Sequence, residues 1–354
     1  MLNIDANDLS QEPIERASTL PASLYVEPAV LEWERQHLFP RTWQWVGAVH
    51  QWQKENEYKL CDVAGRSVLV SRQADGFRAF HNVCRHRGGP LAYADGCSKT
   101  FQCKYHGWTY DLSGQLKNAN EMNGAQNFDA EDFRLKALDV ALWDGQIFVA
   151  IQPAFAHAEL VAGISQRIQP LQLADLSFHR RVVYPIACNW KVYVDNYLEG
   201  YHLPYVHPGL SKVLDYRVYR TELGGYHSLQ CSPIDGSSGP YAAGEAFYYF
   251  LYPNMMLNIL PNRLQVNLVE PTGPQSCRVL FDYFYGDPAK PEVQKLMEED
   301  ESFSDEVQDE DIRICEWVQR GLASGSYERG RYSPIRETGL HHFHQHLRQA
   351  YAHG

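Results

Sequence analysis

Two short clips of soft metal donors stand in the first third of the chain, Cys84-x-His86 and Cys103-x2-His106. Thiolates and imidazoles hold tetrahedral zinc, and they also hold iron–sulfur clusters. Ligands one or two residues apart can grip one centre from a single tight turn. Gly88, Gly89, Pro90 and Gly107 let two such turns close around it. A second set of donors lies in NWKVYVDNYLEGYHLPYVHP, residues 189–208, where Asp195, Glu199 and His202 fall at i, i+4 and i+7, one face of a helix. The flanking sequence holds few other charges and many rings, so a buried functional site is favoured over a solvated face. His207 follows His202 by five residues, and Pro204 between them can bend the chain so that both imidazoles meet one metal. Two His and one carboxylate make the facial triad that binds non-haem Fe(II) and leaves positions open for dioxygen and substrate.

The missing carboxylate is expected from EEDESFSDEVQDEDIRICEWVQRGL, which offers many. Val307, Asp311, Ile314, Cys315, Val318 and Leu322 form an apolar helical stripe in which Asp311 is the charge, whereas Asp309 shares a polar face with Glu316 and Arg320. Asp311 is therefore the inward candidate, with Asp309 and Glu310 open under a one-residue change of register. The C-terminal His341, His342, His344 and His346 are read as packing or solvating a terminal helix, not as a third metal site. For the first clips the bland alternative is a zinc knuckle. Structural zinc clips usually leave two to four residues between paired ligands, so the one-residue clip and the glycines favour a [2Fe–2S] cluster.

Residues 84–106 resemble the Rieske domain of the Rieske non-haem iron oxygenases. His202-x4-His207, preceded three residues earlier by an acid, is similar to the mononuclear iron site of their α subunits. The resemblance implies that Cys84 and Cys103 hold one iron of the cluster and His86 and His106 the other, at a potential of roughly −150 to +300 mV. It implies a mononuclear Fe(II) on His202, His207 and Asp311. Glu199 would then join the two metals, bonding an iron-site His and a cluster His of a neighbouring subunit in a homotrimer. Asp195 would support an imidazole from behind. Glu rather than Asp at 199 is similar to the branch acting on quaternary ammonium compounds of the choline, betaine or carnitine kind. Tyr193, Tyr197, Tyr201 and Tyr205 recur every four residues; spacing alone makes them core, but rings near a metal can cage an ammonium group by cation–π attraction. The expected activity is O2-dependent monooxygenation of such a compound. An aromatic-ring dihydroxylase is the rival enzyme, and a Rieske electron-transfer or redox-sensing protein, which would not need His202, His207 and Asp311, is the rival of another class. The chain has no dinucleotide fingerprint, so NAD(P)H electrons are expected through a separate flavin and iron–sulfur reductase.

These ligands need an α+β scaffold of two domains with a lead-in. Residues 1–39 form an N-terminal segment packing on the catalytic domain, with a helix near 28–37 opened by Pro28. A β-rich Rieske domain spans 40–155, with hairpin signals at Asp75-Gly76 and Asp144-Gly145. A catalytic domain spans 156–354, with a large antiparallel sheet over 215–285 and helices from 291 onward. A net charge of −11 and the lack of a basic stretch argue against nucleic acid. No apolar run is long enough for a membrane span, and MLNIDANDLSQEP lacks the basic and then apolar pattern of a secretory leader, so none is expected. Eight scattered Cys fit a reducing compartment, so a cytoplasmic protein is expected. Aromatics reach 13%, with 22 Tyr, which favours a pocket or core rich in rings.

Overall fold

The computed structural model describes residues 4–214 and 216–353. The chain divides into two compact units of α+β class, one running Phe39–Phe155 and the other made by the chain before and after it.

The middle unit is built from short runs of β-branched and aromatic residues cut by turn formers. Its strands are β1 (Gln44–Ala48), β2 (Glu57–Val63), β3 (Arg66–Gln73), β4 (Gly76–His81), β5 (Gly96–Cys97), β6 (Thr100–Gln102), β7 (Thr109–Asp111), β8 (Leu116–Asn118), β9 (Ala137–Trp143) and β10 (Gln146–Ala150). Seven of them make an antiparallel sheet in the order β1-β10-β9-β4-β3-β2-β5, and β6-β7-β8 make a smaller one. Trp143 pairs with Gln146 across a two-residue turn in which Asp144 and Gly145 both have positive φ, 44° and 79°. That is the mirror-image turn an Asp-Gly hairpin calls for. One apolar cluster gathers Trp52, Val68, Val70, Ile147 and Val149; a second gathers Phe80, Phe101, Trp108, Tyr110, Cys84 and Cys103. The first metal clip follows β4 and the second joins β6 to β7, so their sulfurs are embedded in the second cluster.

In the other unit, β11 (Ser177–Ile186), β12 (Arg220–Leu223), β13 (His227–Ile234), β14 (Gly244–Leu251), β15 (Met255–Leu260), β16 (Arg263–Gly273) and β17 (Ser276–Tyr285) form an antiparallel sheet in the order β11-β17-β16-β15-β14-β13-β12. The first seven residues of β16 are buried without alternation, so both faces of the sheet are covered there. Its helices include α1 (Pro28–Trp33), α2 (Trp190–Tyr197), α3 (Leu203–Val206), α4 (Pro291–Ala323) and α5 (Thr338–Ala352). α2 packs on α4, β16 and β17. A fully buried pair fixes it: Lys191 Nζ lies 2.7 Å from Glu34, which also accepts from Trp190 Nε1 at 2.8 Å and from Tyr351 OH at 2.5 Å. Removing either charge would strand the other in the core, so this contact locks α2 to the N-terminal segment and to α5.

Two expectations need correction. The helix from Pro28 gives way to a π-type turn at Glu34–Leu38. The helix expected to carry Asp195, Glu199 and His202 on one face ends at Tyr197, and beyond it the chain passes the ring of Tyr219 at Gly200, where an added Cβ would stand 2.7 Å from it. Glu199 and His202 therefore lie in the turn between α2 and α3.

Candidate metal centres and pocket

Each clip of the middle unit is a closed loop. Gly88 N–H donates to Cys84 O at 3.1 Å and Gly107 N–H to Cys103 O at 2.9 Å, while Cys84 and Cys103 N–H donate to Gly89 O and Trp108 O at 2.7 and 2.9 Å. Gly88 and Gly107 have φ of 73° and 75°, the left-handed conformation that turns each loop back. The two thiols are hydrogen-bonded to each other, and both residues are buried. The His86 and His106 rings lie 4.6 Å apart at 74°, with His86 stacked on Trp108 at 4.7 Å. Nδ1 of both imidazoles is buried with no hydrogen-bond partner among the described residues. Buried ring nitrogens are ordinarily satisfied. Two left free, in loops that carry two adjoining thiols, fit a group taking two sulfurs and two nitrogens. Tyr110 adds a hydroxyl that sequence reasoning missed: it lies 3.3 Å from Cys84 Sγ and accepts Arg85 N–H at 3.0 Å.

In the other unit His202 precedes α3 and His207 ends it, with Pro204 in the first turn between them. Among the described residues, His202, His207 and Asp311 are the one group of three donors whose atoms all lie within 4.8 Å of one another. Asp311 Oδ1 is 3.0 Å from His207 Nε2 and 3.8 Å from His202 Nε2. The opposite ring nitrogens are held by carboxylates: Glu199 Oε1 lies 2.7 Å from His202 Nδ1, and Glu310 Oε2 lies 2.7 Å from His207 Nδ1. Carboxylates only accept, so each Nδ1 carries a proton, and a cation between the two Nε2 atoms and Asp311 would free both Nε2 lone pairs to face it. Burial opposes the charged form of His207, but Asp311 and Glu310 outweigh it and hold its pKa above the ordinary value. A proton is thus wanted where a metal cation would serve the same carboxylates, and the donor set fits a two-His, one-carboxylate iron. Periodicity picks Asp311 from the acidic run; the neighbouring Glu310 orients His207 instead.

Glu199 is folded over its own turn, accepting the N–H groups of Tyr201 and, at 3.1 Å, His202. Asp195 faces away from the iron set. It accepts from Tyr25 OH at 2.7 Å and lies 3.0 Å from His344 Nε2, whose Nδ1 meets Tyr332 OH at 2.6 Å. The imidazole it orients comes from the C-terminal helix, a partnership no local spacing could reveal. Asn196, also missed, donates to Asp311 Oδ1 at 2.6 Å.

Two cavities meet at this wall. One of about 100 Å³ is lined by His202, His207 and Asp311, by Tyr193, Tyr197, Tyr219 and Tyr248, and by Leu203, Leu210, Leu214, Val307, Gln230 and Asn258. The other, of about 450 Å³, holds Tyr25, Asp195, Ile314, Cys315, Val318, Tyr327, Glu337 and His344, and reaches His202 alone of the three donors. The smaller is the candidate reaction pocket, since all three donors open into it. The tyrosine stripe is half corrected: Tyr193 and Tyr197 line the pocket, but Tyr201 and Tyr205 are 47% and 81% exposed. The break after Tyr197 ends the helical repeat on which their placement rested. Tyr219, just before β12, and Tyr248, on β14, take their place. Burial keeps the phenols of Tyr193, Tyr197, Tyr219 and Tyr248 above their usual pKa, so the rings are neutral. No Lys or Arg lines this pocket among the described residues.

Residues 42–129 match the Rieske [2Fe–2S] domain and residues 173–353 the ring-hydroxylating α subunit (catalytic domain). The chain is 39% identical over 350 residues to a chloroplastic choline monooxygenase of Arabidopsis thaliana, covering 94% of this chain and 82% of the relative. It is 29% identical to the carnitine monooxygenase oxygenase subunit of Escherichia coli K12, covering 95% of each. A quaternary ammonium Rieske monooxygenase crystallised with L-carnitine superposes with a TM-score of 0.83 at 27% identity, covering 96% of this chain and 98% of the other. Naphthalene 1,2-dioxygenase from a Rhodococcus species shares the fold at a TM-score of 0.78 and 17% identity, covering 94% of each chain.

Proposed function

The chain belongs to the ring-hydroxylating oxygenase α-subunit family, as a Rieske non-haem iron oxygenase with a [2Fe–2S] cluster and one mononuclear iron, and from that premise we propose that it oxidises a small quaternary ammonium alcohol of the choline kind. Cys84, Cys103, His86 and His106 hold the cluster; His202, His207 and Asp311 hold the iron. Iron bound there would supply dioxygen activation, and a cluster held by the two clips would supply electrons received from a separate NAD(P)H-dependent reductase.

The observation that carries the substrate is the reaction pocket. It is a small cavity of about 100 Å³ lined by four neutral tyrosine rings, so it suits a compact organic cation better than a fused aromatic. A carnitine or betaine carboxylate would look for a basic partner that the pocket lining lacks, whereas Gln230 and Asn258 can bond a neutral hydroxyl. Choline-like alcohols are therefore preferred. Oxygenating the carbinol carbon balances as alcohol plus dioxygen, two electrons and two protons giving the aldehyde hydrate and water; the hydrate then loses water.

Glu199 couples rather than ligates in this reading. Its two oxygens already hold His202 and the turn, and its side chain stays on the wall shared by both cavities. The active assembly is a homotrimer in which a neighbouring copy's cluster approaches that wall; the exposed Tyr93 and Tyr105 beside the cluster loops fit a surface that a second copy covers. All eight cysteines are free, which suits a reducing compartment such as the cytoplasm.

The test is oxygen uptake and product mass spectrometry over choline, glycine betaine, carnitine and naphthalene with a matched reductase. Coupled aldehyde formation with choline above the others is expected; coupled diol from naphthalene, with no quaternary amine oxidised, would replace this reading with the ring dihydroxylase.

A further inference from the structure

Three cysteines with no part in the site above meet close behind it. Cys188 sits between β11 and α2, Cys277 lies on β17, and Cys315 lies on α4 one turn beyond Asp311; none is more than 1% exposed. Cys188 Sγ is 3.9 Å from Cys277 Sγ, and Cys315 also hydrogen-bonds the Cys188 sulfur. The approach is built in. Ile186 pairs with Cys277 across β11 and β17, and Asn189 is clamped by its N–H to Gln319 at 2.8 Å and by its amide to Pro274 O at 2.7 Å. The Cys277 and Cys315 thiols hold Cys188 below the usual thiol range against the opposing effect of burial, which favours the nucleophilic thiolate. Closing Cys188 to Cys277 needs the sulfurs to approach by about 1.9 Å, which draws the chain at Cys188, just ahead of α2, toward β17.

A cavity comes as close as the neighbouring thiol, Cys315, which bonds Cys188. Cys315 lines the 450 Å³ cavity, whose wall also holds Asn196 and His202 of the iron site. An oxygenase without substrate still commands dioxygen and two electrons; with two protons these give hydrogen peroxide.

We propose that Cys188 and Cys277 are an oxidant-sensing dithiol, which peroxide arising in the enzyme closes to a disulfide, and that closure slows turnover by displacing the start of α2. The Cys188 thiolate attacks one peroxide oxygen, the O–O bond breaks, and hydroxide leaves a sulfenic acid. The Cys277 sulfur then attacks the Cys188 sulfur, its S–O bond breaks, and the Cys277 proton leaves with the hydroxyl as water. Peroxide is reduced, and the two thiols are oxidised by two electrons. α2 carries Asn196, which bonds Asp311, so a shift near one ångström at its capped end reaches the iron site. The source of the peroxide rests on the oxygenase reading; the dithiol does not.

The experiment uses metal-loaded protein in two arms, one turning over with reductase but no substrate and one given reagent hydrogen peroxide. Thiols are then alkylated under denaturing conditions and peptides mapped. A Cys188–Cys277 cross-link in both arms is expected, with turnover down by on the order of tenfold and restored by dithiothreitol. Cys277→Ser should give no cross-link and keep its turnover through the same treatment. Both cysteines still alkylatable, or a cross-link with turnover unchanged, overturns the proposal; this mapping needs the wild-type chain alone should the variant not fold. A cross-link with reagent peroxide only would keep the dithiol and remove the oxygenase as its source.

Discussion

Replacing Tyr110 by Phe removes one hydroxyl from a fully buried ring and leaves its packing in place. Burial and the Cys84 sulfur push this phenol above its usual pKa, so it is protonated at every working pH. Its oxygen already accepts Arg85 N–H at 3.0 Å, which leaves its proton for Cys84 Sγ at 3.3 Å. A reduced cluster carries more negative charge on its sulfurs, so the phenol bond strengthens on reduction and favours the reduced state. A hydrogen bond is worth about 0.5–1.5 kcal/mol net. At 59 mV per tenfold in a one-electron couple, losing it should lower the potential by about 20–65 mV. The loss of an acceptor for Arg85 N–H should also cost about 1 kcal/mol of stability. The assay is a potentiometric titration of cluster-loaded protein followed by EPR, with Tyr93→Phe, 63% exposed, as control. An unchanged or higher potential in Tyr110→Phe would refute the assignment of that proton to Cys84.

Glu199→Gln should retain both metals and lose turnover; iron loss on metal analysis would mean that Glu199 is a ligand. Glu310→Gln should weaken iron binding by about 10–100-fold, because His207 loses the carboxylate that orients it, and a chelator titration reads this directly. Tyr248→Leu should raise the choline KM by up to about 30-fold if the ring contributes about 2 kcal/mol of cation–π attraction, with no similar effect on a neutral isostere. Burial lowers both His157 and His342 to about 4, with His346 a further cause for His342. The unfolded chain takes up these protons near pH 6.5 and the folded one near 4, so stability should fall as pH falls through that window. Thermal melts between pH 7 and 5 will show it, and a midpoint that does not drop would contradict the burial of these rings as neutral groups.

The metal motifs were legible because their ligands are local: two clips and a short His-x4-His turn carry their chemistry in spacings of a few residues. Asp311 was legible because α4 is long and amphipathic enough for one charge to stand out in an apolar stripe. What depended on contacts between distant segments was not. Asp195 meets His344 across 149 residues of chain, and Cys188 meets Cys277 across 89. The exposed Tyr201 and Tyr205 show the converse error, since a four-residue repeat predicts one helical face only while the helix lasts. Tyr248 reaches the pocket from β14 and Tyr219 from the residue before β12, placements that period-two alternation cannot aim at a particular metal.

A single turnover without reductase tests the choline-oxidising iron site directly. Cluster- and iron-loaded protein, chemically reduced and freed of reductant, is mixed with choline and dioxygen, and the quenched products are identified by mass spectrometry. Betaine aldehyde is expected in proportion to the electrons loaded, and none when iron alone is removed. Reoxidation of the cluster with choline left intact and no quaternary amine consumed would contradict it.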